Sequence, residues 1–193
     1  VGVSWLPLYH DMGLIGCIFV ALHRPGPLWL IPPERFLARP ALWLRAISRH
    51  QGTVSPAPDF AYALCVDRIS EEEMQGVNLA SWRLAMDGAE PVSAQNLRRF
   101  QQKFAPYGLR PEALLPVYGL SEASLAVTFS DPALPFWAVH WDRAMLAEGQ
   151  AVPVEHGVEL VSNGRPLPGF TVEIRDSQRQ PLPPRTVGRV WVQ

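Results

Sequence analysis

Lysine is almost absent from this chain: among its 17 lysines and arginines only Lys103 is a lysine, so chemistry that needs an amine must come from elsewhere. Cysteine is scarce as well. The 2 cysteines, Cys17 and Cys65, each stand in an apolar helical pattern with no second Cys or His at metal-ligand spacing. That argues against a disulfide scaffold or a zinc cage and reads both as small buried hydrophobes. Long hydrophobic runs are missing too. The longest, Gly13 to Leu22, is about half of a bilayer span, and no charged leader opens the chain. The expectation is a cytoplasmic protein without a membrane span. Nor does one sign of charge dominate: the formal net charge is -1, and no basic run with interleaved aromatics offers a surface to nucleic acid.

What remains is an ordinary globular composition, 48% hydrophobic and 18% charged over 193 residues, enough for one good core or two small ones. The 20 prolines are about twice the usual share and mark turns. "VGVSWLPLYHDMG" reads as a short strand running into a polar elbow, followed by an apolar helix from about Leu14 to Leu22. "PLWLIPP" reads as a short buried strand. "RPALWLRAISRHQ" sets Leu42, Leu44 and Ile47 at helical spacing against Arg45 and Arg49, and "APDFAYALCVDRI" repeats the pattern with Asp59 near its start. "TVSPAP" and "WRLAMDGAEPV" are strand-to-loop transitions. "SAQNLRRFQQKFAPYG" is a helix capped by Ser93 and ended by Gly108.

Strands and helices thus alternate through Thr128, which predicts an α/β fold, a doubly wound and largely parallel sheet with flanking helices. From about Asp131 the chain changes character, and "GVELVSN", "FTVEIRD" and "VGRVWVQ" predict a smaller antiparallel β unit.

Three loops follow predicted strands: "LPLYHDMG" (6 to 13), "DGAEPV" (87 to 92) and "YGLSEAS" (118 to 124). Ligands of open α/β sheets bind at the carboxyl ends of the strands. Gly88 and Gly119 let backbone approach a flat ligand, Tyr118 offers a stacking face, and Glu122 offers a hard oxygen ligand. These parts suit a magnesium nucleotide. Each also has a plain structural reading: "HD" as a surface pair, His10 bonded only to its loop, Glu90 capping the helix that starts near Ser93, Tyr118 in the core.

Together and in this order, "WLPLYHDMGLIG", "SPAPDFAYALC", "DGAEPV", "YGLSEAS", "GRPLPGFTVEIRD" and "VGRVWV" resemble the adenylate-forming superfamily, and within it the fatty acyl-AMP ligases. The resemblance spans nearly the whole chain and implies ATP and Mg²⁺. Gly88, Ala89 and Glu90 would form one wall of an adenine pocket, and Tyr118 with Gly119 the other. Ser121 would contact the α-phosphate, Glu122 would bind Mg²⁺, and His10 would offset charge near the reacting carboxylate. The catalytic candidates are therefore His10, Ser121 and Glu122. Met12, Phe60 and Leu125 are candidates for the acyl tunnel. The subfamily often has Asn in place of Asp87, Ala in place of Ser121 and Glu in place of Arg189.

The same resemblance implies a fatty acid substrate and delivery to an acyl carrier protein or a polyketide or nonribosomal peptide synthase module. Its phosphate loop, ribose-binding Asp and C-terminal lysine are expected outside residues 1 to 193, so the chain reads as a partial domain that does not catalyse adenylation alone. Residues 1–130 would belong to the nucleotide- and acyl-binding subdomain, 131–158 to an insertion peculiar to the acyl-AMP ligases, and 159–193 to a β subdomain. Two rivals stand beside this reading: a fatty acyl-CoA ligase of the same superfamily, and a non-catalytic lipid-binding or scaffold remnant.

Overall fold

In the computed structural model, which describes Val1–Gln193, the expected alternation begins at once. Strand β1 (Gly2–Ser4) runs into α1 (Asp11–Gly13), which continues through a π-helical segment, Leu14–Phe19, into α2 (Val20–His23). Next come β2 (Leu28–Leu30), α3 (Pro33–Ala38), α4 (Ala41–His50), β3 (Val54–Ala57), α5 (Asp59–Arg68), β4 (Leu84–Asp87) and α6 (Ala94–Phe104). The remainder is β5 (Leu114–Gly119), β6 (Ala126–Phe129), β7 (Ala138–Trp141), α7 (Arg143–Ala147), β8 (Val158–Val161), β9 (Arg165–Pro166), β10 (Val172–Arg175) and β11 (Arg189–Val192).

The main sheet has seven strands in the order β2-β1-β3-β4-β5-β6-β9. Pairing is parallel from β2 through β5, then antiparallel at β5–β6 and β6–β9. The chain moves one way from β1 to β2 and the other way through β3, β4 and β5. Right-handed crossovers therefore put α1–α2 on one face and α4, α5 and α6 on the other.

The second face is the core. Trp43, Tyr62, Phe100 and Phe104 from these helices and Trp82 from the loop before β4 are fully buried. They pack edge to face, with ring centroids 5.1 Å apart for Trp43–Trp82 and 5.0 Å for Tyr62–Phe100. Trp43 Nε1 donates to Ser55 Oγ at 2.8 Å, which fixes α4 against β3. Each such buried side chain contributes about 1.5 to 3 kcal/mol. The single lysine is structural: Lys103 Nζ donates to the carbonyls of Val66 and Ile69, satisfying the open end of α5.

Local signals hold where they were strongest. Ser93 Oγ accepts from Asn96 N at the start of α6, and Gly108 takes φ 89° in the turn beyond the helix. Cys17 and Cys65 are both buried and free, and burial pushes both thiols up. No helix is long and apolar enough to cross a membrane.

Two readings change and a third gains detail. "PLWLIPP" does form a strand, but it lies at the sheet edge, where Trp29 and Leu30 stay 45% and 46% exposed. The apolar helix is longer than Leu14 to Leu22, is π-wound in the middle, and leaves Phe19, Val20 and Leu22 exposed, since one side alone meets the sheet. The antiparallel unit is two separate ribbons: β8 pairs with β7, and β10 with β11.

Candidate functional site

The strands of the main sheet bury one face and open the other. On β3 and β4, Ser55, Ala57, Ala85 and Asp87 point into the core, while Val54, Pro56 and Met86 line a cavity of about 560 Å³ on the opposite face. Val117 and Phe129 extend this apolar floor, and Gly16 and Val20 of the π/α2 helix form one side. The rim at the carboxyl end of the strands is polar: His10, Asp11, Tyr118, Ser121 and Glu122. A volume in this range with few polar groups around an apolar body is the usual character of a small-molecule site.

The rim is assembled by close backbone contacts. At Gly119 an added Cβ would lie 1.7 Å from the Leu125 carbonyl oxygen, so only glycine lets the end of β5 cross the returning chain. The β5–β6 register shifts here, between Tyr118 and Gly119. Ser124, in the connecting loop, holds φ 68° and ψ -44°, and Ala89, on the facing wall, holds φ 71°. Positive φ in these non-glycine residues is strain that surrounding contacts must support, and such strain gathers at functional sites.

Two of the three loops are joined by a side-chain bond. Ser121 Oγ donates to Asp11 Oδ2 at 2.6 Å. Asp11 Oδ1 accepts from Met12 N at 2.7 Å and lies 2.7 Å from His10 Nδ1. His10 Nδ1 also accepts from Met12 N at 3.1 Å, capping the start of α1. The Ser121 bond, then the Met12 amide and the His10 ring, hold the Asp11 carboxyl below its usual range against the opposing effect of burial.

Glu122 differs from its sequence reading. Rather than standing in an apolar setting, it is exposed at the rim and enters none of the chain's side-chain hydrogen bonds or ion pairs. Desolvation therefore does not demand a partner; the carboxylate is simply available. No group of three or more His, Cys, Asp or Glu side chains is placed to hold a metal ion, so a metal here would rest on Glu122 and on oxygens of a ligand. That donor set fits Mg²⁺, which keeps waters and takes one or two carboxylates with substrate phosphates.

The turn after β4 divides its candidates. Ala89 lines the cavity, whereas Gly88 is packed under Val117. Glu90 points away: its Oε1 accepts from Phe60 N at 2.7 Å, capping α5 and not the helix after Ser93. Phe60 itself packs edge to face on Trp5, centroids 5.9 Å apart, outside the cavity wall. The structure thus brings together His10, Met12, Ala89, Tyr118, Gly119, Ser121, Glu122 and Leu125, and leaves Gly88, Glu90 and Phe60 off the lining. Asp11, which reads locally as half of a surface pair, joins the site through Ser121 and His10, and its place beside His10 is the signal for it. The sheet-floor residues were missed because a strand's inward face does not tell which of two layers it meets.

The chain matches the family model described as AMP-binding enzyme over residues 1–193. It is 41% identical over 195 residues to the 4-hydroxyphenylalkanoate adenylyltransferase of Mycobacterium tuberculosis, covering 99% of this chain and 31% of that protein. It is 39% identical over 194 residues to the long-chain-fatty-acid–AMP ligase FadD26 of the same species, covering 98% and 33%. A fatty acyl-adenylate ligase from L. pneumophila, solved in complex with acyl adenylate and pyrophosphate, superposes with a TM-score of 0.94 at 37% identity over 99% of this chain and 34% of that one. The chain spans about a third of the length of these relatives. With a family model matched from its first residue to its last, and a fold shared with a fatty acyl-adenylate ligase, this chain belongs to the AMP-binding enzyme family.

Proposed function

We propose that the chain supplies the nucleotide pocket, one metal ligand and part of the acyl channel of a fatty acyl-AMP ligase. The whole enzyme condenses ATP with a fatty acid to acyl adenylate and pyrophosphate, then passes the acyl group to an acyl carrier protein or to a polyketide or nonribosomal peptide synthase module. One observation carries this reading: a polar rim with Tyr118, Ser121 and Glu122 opens directly onto an apolar cavity floored by Val54, Met86 and Val117. A phosphate-reading end and a hydrocarbon-accepting end then share one concavity, as joining a nucleotide to a fatty acid requires.

In the reaction a carboxylate oxygen of the acid bonds to the α-phosphorus and the bond to the pyrophosphate oxygen breaks. Tyr118 stacks on the base, facing Ala89 across the pocket. Ser121 orients the α-phosphate once its hydroxyl turns from Asp11. The His10 ring stands at the rim, where it can meet the acid carboxylate. Met12 and Leu125 line the start of the hydrocarbon path; Phe60 is left out of it. Mg²⁺, when bound on Glu122, offsets the negative charge of the phosphates.

The rival acyl-CoA ligase reading turns on residues 131–158, which we take as an insertion between the 1–130 and 159–193 regions. The β7–β8 ribbon that contains most of it is fastened to α6 by a bidentate Arg98–Glu159 pair, an arrangement suited to a docked element that limits access of a second acceptor. A cytoplasmic location is part of the same proposal. The test is ATP–pyrophosphate exchange by the full-length parent with medium- and long-chain fatty acids. Exchange that depends on the acid supports the ligase; its absence with every acid supports the lipid-binding or scaffold remnant.

A further inference from the structure

The most anomalous polar group in the molecule lies one residue before the Gly88–Glu90 turn. Asp87, the last residue of β4, is 0% exposed, and neither carboxyl oxygen has a hydrogen-bond partner. The parallel ladder pins its backbone between Ala57 and Pro116, with the side chain on the buried face of the sheet. The ionisable groups acting on it are Asp59 and Tyr62 from α5 and Glu90 from the turn, all acids and none a cation. The chain's lysine is engaged at the far end of α5.

An ionised carboxylate in such a place has neither solvent nor counter-charge, and buried unpartnered charge is avoided by neutralisation. Burial first, and the Asp59 charge second, push the Asp87 carboxyl up to about 9. Asp59, two residues beyond the ladder partner Ala57, stands next to Asp87 as the acceptor for the acid proton this implies. Asp59 is itself buried and receives Ser93 N at 2.8 Å and Asn96 Nδ2 from the start of α6. Glu90 in turn receives Phe60 N. A proton shared by Asp87 and Asp59 therefore closes a ring of contacts that runs from the end of β4 through the starts of α5 and α6 and back to the turn. That turn carries the strained Ala89, which lines the cavity.

We propose that Asp87 is a positioning residue which, as the neutral acid, locks the Gly88–Glu90 turn against the starts of α5 and α6, so that removing its proton loosens the wall of the nucleotide pocket. The functional half of this statement rests on the nucleotide reading above. The sign follows from linkage. A group whose folded-state value is raised contributes fully below its unfolded value, and that contribution is lost as pH rises through the folded value. The alkaline side of neutrality is the window in which the lock opens.

The experiment uses the full-length parent and its Asp87→Asn variant, whose amide keeps the shape and a donor toward Asp59 without a titrating proton. Three quantities are read from about pH 6 to about pH 10: ATP dissociation constant by calorimetry, hydrogen exchange of the 88–93 amides scaled to intrinsic rates, and, for the wild type, the Asp87 carboxyl shift by NMR. The expected result is that wild-type ATP affinity falls at least about tenfold and 88–93 protection is lost toward the alkaline end, while the variant keeps both; tenfold corresponds to about 1.4 kcal/mol. An Asp87 carboxyl that titrates in the ordinary acid range, or an Asn variant that loses protection in parallel with the wild type, overturns the lock. Pocket affinity that stays flat while wild-type protection is lost overturns the positioning role. ATP binding absent at every pH overturns the nucleotide reading, and the exchange and NMR data then decide the lock by themselves.

Discussion

Ser121 donates a 2.6 Å hydrogen bond to Asp11 across 110 residues of sequence, and this bond is what joins the His10 loop to the loop after β5. An O–H···O⁻ bond of this length is charge-assisted and stronger than a neutral one. Ser121→Ala removes the largest influence holding the Asp11 carboxyl down. Asp11 has a lowered folded value, so its contribution to stability is present above its unfolded value of 3.8 and is lost as pH falls through the folded one. The expected outcome is an Asp11 carboxyl that titrates closer to its ordinary range in Ser121→Ala, with stability reduced at neutral pH and the difference from wild type shrinking as pH falls below about 4. NMR titration of the Asp11 carboxyl checks it.

Glu122 and Tyr118 separate by what each loses. Glu122→Gln keeps shape but removes the unpaired carboxylate, and adenylation by the full-length parent is expected to fall at least about tenfold, on the order of 1.4 kcal/mol. Because Glu122 has no partner in the chain, its melting temperature should stay close to wild type, within about 0.5 kcal/mol of stability. Tyr118→Ala should mainly raise KM for ATP, since it would remove the proposed stacking face and leave Glu122 in place. Steady-state kinetics with calorimetric melting curves distinguish the two; wild-type kinetics in both would return this loop to a structural role.

Gly119→Ala tests the rim geometrically. The new methyl would start 1.7 Å from the Leu125 carbonyl oxygen, and a backbone atom cannot yield as a side-chain tip can. Overpacking of this kind costs about 1 to 3 kcal/mol or more. Urea unfolding should show that loss, and an unchanged midpoint would mean the β5–β6 crossing is looser than described.

Arg98→Ala addresses product choice. The Arg98–Glu159 pair is partly exposed, so its contribution to global stability is small, about 0 to 1 kcal/mol, but it is the charged tie between α6 and the β7–β8 ribbon. Cutting out Pro135 to Val154 instead would remove β7 and strand β8 without its partner, which makes the point variant the cleaner test. Chromatography of products formed from ATP, fatty acid and coenzyme A should show acyl-AMP as the main wild-type product and more acyl-CoA in Arg98→Ala. Abundant acyl-CoA from the wild type would favour the acyl-CoA ligase.

Several features could be read locally. The α4, α5 and α6 helices announce themselves by apolar spacing, Ser93 by its capping chemistry, and the end of β5 by Tyr118-Gly119. Each depends on residues within a turn or two of one another, which is the range over which sequence pattern acts. Element order then follows from the alternation of strands and helices, and with it the parallel sheet.

What sequence could not decide depended on distant partners. Trp29 and Leu30 look like core until the sheet order puts β2 at an edge. Glu90 looks like a cap for α6 until Phe60 N proves nearer. Glu122 looks buried until its loop reaches the rim. Asp11 gains its meaning from Ser121, and Asp87 from Asp59. The sequence by itself determined the elements, their order and the three loops that carry polar groups, because these arise from short-range periodicity and turn chemistry. The tertiary structure decided which of those groups share a cavity, which are committed to helix ends, and which acid is buried without a counter-charge, because contact and desolvation depend on segments that only folding brings together.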